Sequence, residues 1–96
     1  MNHAHENLEA AYAEHIADHY RRASEELLYA YLRNKEATRY HESGVFKAAL
    51  HHAKLSRHHS FNAHEHLKEA LQISEKMGNV LSGVSHGPGL SGPPIQ

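Results

Sequence analysis

Apolar residues recur at three- and four-residue steps along the first part of the chain: Leu8, Tyr12, Ile16, Tyr20, Ala23, Leu27, Ala30 or Tyr31, and Ala37. That spacing draws one stripe down an amphipathic helix. No Gly or Pro interrupts positions 2–43, and helix formers dominate. The pattern predicts a helix over about residues 7–42, with Asn2 or Asn7 as candidate caps. Ser43-Gly44 is the strong break before Gly78. Gly44 suits a left-handed helix end, and Ser43 is a candidate cap for a second helix. Phe46, Ala49, Leu50, Ala53, Ser60, Ala63, Leu67, Ala70, Leu71 and Ser74 make a second stripe, predicting that helix over about 45–77. Many of these are Ala or Ser, which lets two helices approach closely. A short connection between helices of similar length predicts antiparallel packing. Gly78-Asn79 should stop the second helix. Residues 79–96 are rich in Gly and Pro, carry few charges and show no period, which predicts a flexible tail after a hairpin spanning 1–78.

Leu28, Tyr29 and Leu32 fall off the first stripe and make a second apolar patch. A helix apolar on two faces touches two neighbours. One is its hairpin partner, and the second should be another chain. A 96-residue protein with a two-helix core buries little surface on its own. The expected architecture is therefore all-α: an antiparallel hairpin that dimerises into a four-helix bundle.

Composition removes several function classes. Lys and Arg number 10 against 11 Asp and Glu, so no basic footprint for nucleic acid exists. Cysteine is absent, which excludes disulfides, thiolate metal sites and a Cys nucleophile. No apolar run approaches the ~20 residues of a membrane span. The N-terminus lacks the basic and apolar regions of a signal peptide, so the expected location is cytoplasmic.

Around the break, Ala37, Tyr40, Gly44, Phe46, Ala49 and Leu50 stand at the spacing of the small, Tyr, Gly, aromatic, Ala and aliphatic positions of a tetratricopeptide repeat. The turn resembles that repeat over about residues 37–56. A repeat array needs about three units, and no second copy is visible. The resemblance implies a similar helical hairpin with Phe46 as a wedge, not a peptide-binding array. The stretch Tyr40–Lys54, with His64-Glu65-His66, also resembles a loose group of small bacterial proteins. Those have Ala/His/Glu-rich helical hairpins with His-His-Ala steps after a Tyr-and-Gly turn. This second likeness covers about residues 20–72, supports the hairpin and implies no activity.

Histidine is the compositional outlier, at 12 of 96 residues. Protonating them all would add twelve positive charges to a formal charge of −1, which makes a pH-responsive interface chemically sound. On the second helix His52, His59 and His66 are seven apart and form a stripe beside the core face, whereas His64 falls within the apolar face. On the first helix His15, Asp18 and His19 share a face at i, i+3 and i+4. Two imidazoles and a carboxylate in that arrangement suit zinc, nickel, copper or iron, with His64 of the antiparallel partner as a fourth ligand. The competing reading is that these side chains are solvated or edge the core, where a flat, half-polar ring fits well.

No nucleophile motif, phosphate loop or His-Glu-x-x-His pattern is present, and the serines sit within helices without an oxyanion site. The expected role is a small non-enzymatic binding or scaffold protein, acting as a homodimer or on a protein partner. The alternative is a histidine-based metal-binding protein for storage, delivery or sensing.

Overall fold

The computed structural model describes residues 3–82, with side chains described from residue 7. Two helices, α1 (His3–Glu42) and α2 (Phe46–Ser82), pack against each other as a hairpin. Helix α1 is continuous through Arg21-Arg22. No helix among the described residues is long and apolar enough to cross a membrane.

The turn ends α1 through its backbone. Gly44 takes φ +81°, the left-handed region open to a residue without Cβ. The Gly44 N–H donates to the His41 carbonyl at 3.0 Å and the Val45 N–H to that of Tyr40 at 2.8 Å. This pair of bonds is the Schellman arrangement, which satisfies carbonyls left open at a helix end. Ser43 belongs to the same closure, because its Oγ donates to the Arg39 carbonyl at 3.0 Å. It therefore does not cap α2 as expected. The Val45 carbonyl instead accepts the first bond of α2, from the Ala49 N–H at 3.1 Å.

At its other end α2 runs past Gly78-Asn79 to Ser82. A glycine inside a helix costs only about 1 kcal/mol against Ala, too little to end a helix that has no left-handed turn to enter. Residues 79–82, expected in the tail, are therefore helical. The remainder of the expected tail lies outside the described residues.

The seam between the helices repeats every seven residues on both sides. Its buried members are Ile16, Ala23, Ala30 and Ala37 on α1, and Ala49, Ala63 and Ala70 on α2. Ser56 fills the remaining place in the α2 series, and its Oγ donates to the Ala30 carbonyl at 2.8 Å. That bond sets the register: it places Ala23 level with Ala63, Ala37 with Ala49, and Ile16 with Ala70. A seven-residue repeat holds one line of each helix against the other along the whole hairpin. Methyl-sized contacts let the backbones come near enough for a Ser hydroxyl to reach across.

Candidate functional site

The seam divides the hairpin into two unlike faces. On one, the histidine stripe of α2 meets His19, Glu26 and Tyr40 of α1, seven and fourteen positions apart. His66 meets His19, their Nδ1 atoms 2.9 Å apart. His59 Nδ1–H donates to Glu26 Oε1 at 2.7 Å, and Asn62 Nδ2 donates to the same oxygen at 3.3 Å. The His52 ring stacks on Tyr40 with centroids 5.3 Å apart. His52 Nδ1 is buried without a hydrogen-bond partner. The stripe is thus a ladder along one edge of the seam.

Electrostatics follow from these pairs. The hydrogen bond from His59 holds the Glu26 carboxyl below its ordinary value, against partial desolvation and with help from Asn62. At Asp18 partial desolvation works upward, but the charge of Arg22 and hydrogen bonds from Arg21 and Arg22 overcome it and leave the carboxyl lowered. Asp18 is thereby occupied: Arg22 Nε donates to it at 2.9 Å and Arg21 at 3.4 Å.

The sequence-derived ligand set is only partly assembled. His15 and His19 do share a face, with ring centroids 5.1 Å apart. His64 is exposed, in line with Leu50, Arg57 and Leu71, on the face away from His19. The α2 histidine that reaches His19 is His66, which lies with His52 and His59 on the same side of the seam as His19. Among the described residues, no three His, Asp or Glu side chains are already grouped to hold a metal ion.

The second face is apolar and open. Tyr20, Leu27 and Tyr31 of α1 stand beside Phe46, Leu50, Leu67 and Leu71 of α2, from 37% to 60% exposed. Small residues lie between them: Ala17, Ser24, Ala53 and Ser60 are exposed as well. Near the turn this face forms a cleft of about 470 Å³, lined by Ala37, Phe46, Ala49, Leu50 and Ala53 with His41 and Glu42 at the α1 end. Phe46 is 60% exposed, its ring meeting the edge of His41 at 4.9 Å, so it is not a wedge between the helices.

Leu28, Tyr29 and Leu32 are exposed on α1. Tyr29 packs on His59 with centroids 5.3 Å apart. Tyr29 and Leu32 share their surroundings with Arg33, Lys35 and Glu36. The patch is smaller and more charged than the open face. The sequence pattern contained that larger face, since its residues belong to the two stripes assigned to the core. What it lacked was the seam's narrowness, which buries only every second member of the α1 stripe.

Comparison with known proteins returns no match: no family model fits the chain, and no curated protein and no solved structure is similar to it.

Proposed function

We propose that this chain is a small non-enzymatic helical scaffold or binding protein of the cytoplasm, and that its hairpins pair through the open apolar face into a homodimeric four-helix bundle. The observation that supports this is the division of the α1 stripe. Ile16, Ala23, Ala30 and Ala37 are buried, whereas Tyr20, Leu27 and Tyr31 stand about half exposed. Among the described residues, a buried core of one Ile and six Ala is too slight for a hairpin of this length to be stable alone.

A second copy is the occupant that fits. Seven Leu and aromatic side chains, about half exposed and offering ~150–200 Å² each, bring roughly 600 Å² per copy into reach. With the small residues between them this approaches the ~800 Å² per partner of a standard interface. The face also carries little formal charge: Arg57 stands within it and Glu42 lines its cleft near the turn. A neutral face needs no complementary field from a partner and can meet its own copy across a two-fold axis. Leu, Tyr and Phe act by burial, so the surface suits binding better than chemistry.

The test compares two double variants by size-exclusion chromatography with light scattering. Leu27→Lys with Leu67→Lys should give a monomer, its helicity followed by circular dichroism. Leu28→Lys with Leu32→Lys should remain dimeric. The opposite pattern would move the interface to the Leu28/Tyr29/Leu32 patch. A monomeric parent chain would point to a different protein as the partner.

A further inference from the structure

We propose that His19 and His66, joined by His15, form a site for one divalent transition-metal ion of the imidazole-preferring class, and that the ion clips α1 to α2. His15 and His66 each stand against the His19 ring. The His19 and His66 Nδ1 atoms are 2.9 Å apart. Two nitrogens held tetrahedrally at ~2.0–2.1 Å from one zinc ion are about 3.3 Å apart, so the pair has to open by only a few tenths of an ångström. The ring centroids of His15 and His19 lie 5.1 Å apart, and those of His19 and His66 5.2 Å apart. Imidazoles sharing an ion have centroids separated by about 5 Å. In the metal-free pair one Nδ1–H donates to the other Nδ1; when an ion binds, that proton moves to Nε2 of its own ring, which frees both Nδ1 lone pairs for the metal.

The chain fixes two ligands and leaves the third adjustable. His19 and His66 are half-buried at the seam, on opposite helices whose register Ser56 and the alanines hold. His15 is exposed one turn before His19, so a side-chain rotation brings its nitrogen to the pair. Asp18 is not a ligand, since Arg21 and Arg22 hold its carboxylate. Water completes the shell. Zinc, copper(II) and nickel all accept imidazole, and the donor set contains no sulfur and no free carboxylate that would favour another class. The site lies on the histidine face, away from the apolar face, and stands independently of the dimer.

The experiment uses the full, untagged chain, treated with chelator and titrated with zinc chloride by calorimetry, then melted with and without zinc. One ion per chain should bind, and a hundredfold excess of free zinc over Kd should raise Tm by about 10 °C or more. His19→Ala and His66→Ala should each remove the Tm shift and weaken binding at least tenfold. His15→Ala should weaken it about tenfold, and His64→Ala should leave it unchanged. His66→Gln keeps a polar side chain at the seam and should fold without zinc yet lose the shift, separating loss of the ligand from loss of the fold. Unchanged zinc affinity in His19→Ala or His66→Gln, affinity no tighter than millimolar, or a loss spread evenly over all the histidine variants would overturn the site.

Discussion

Ser56 Oγ donates to the carbonyl oxygen of Ala30 across the seam at 2.8 Å. The bond is possible only because the neighbouring seam positions carry nothing larger than a methyl group, Ile16 at the far end excepted. Ala63 is 1% exposed and Ala70 is fully buried, so the seam has no room for larger side chains. Ala63→Leu should therefore destabilise by about 1–3 kcal/mol through overpacking. Ser56→Ala should cost less, about 0.5–1.5 kcal/mol, since it removes one hydrogen bond without adding volume. Urea unfolding followed by circular dichroism measures both, and equal midpoints for the Ala63→Leu and parent chains would rule out a tight seam.

The two described glycines should respond in opposite directions. A Cβ at either position meets nothing within 4 Å, so backbone conformation alone decides. Gly44 has φ +81°, and Gly44→Ala should destabilise by about 1–2 kcal/mol. Gly78 lies within α2, and Gly78→Ala should stabilise by about 0.5–1 kcal/mol. Thermal melts of the two single variants check the signs.

Glu26 gives the ladder a pH dependence. Its carboxyl is held below the ordinary value of 4.5 by His59, with Asn62 assisting. A carboxyl lowered in the folded state contributes stability that is fully present above the unfolded value. The contribution fades as pH falls through the lowered value and vanishes below it. Glu26→Gln should accordingly be less stable than the parent chain at neutral pH, and the gap between their Tm values should close as pH drops below about 4.5. A gap that stays constant with pH would show that Glu26 acts by packing alone.

Much of the fold was legible in the residues, and the departures have separate physical causes. The absence of Gly and Pro over positions 2–43 and the Gly44 turn predict the hairpin and its antiparallel sense. The seven-residue spacing of His52, His59 and His66 places them beside the seam, where His19, Glu26 and Tyr40 meet them. The partner of His19 was not legible, because register depends on which small residues meet. Ser56 against Ala30 brings His66 level with His19, while His64 falls on the other side of the seam in line with Leu50 and Leu71. Periodicity also cannot tell a buried Ala from an uncovered Leu on the same stripe. Tyr20, Leu27 and Leu67 therefore read as core, although the hairpin leaves them open. Gly78 misled for a local reason: a helix passes through glycine unless the backbone turns left-handed there, as it does at Gly44.

The same partial burial makes oligomeric state the most direct test of the account. Sedimentation equilibrium of the full chain at micromolar concentration should give twice the chain mass of 10.8 kDa. A helical species of single-chain mass would contradict the pairing of hairpins through Tyr20, Leu27, Leu67 and their neighbours.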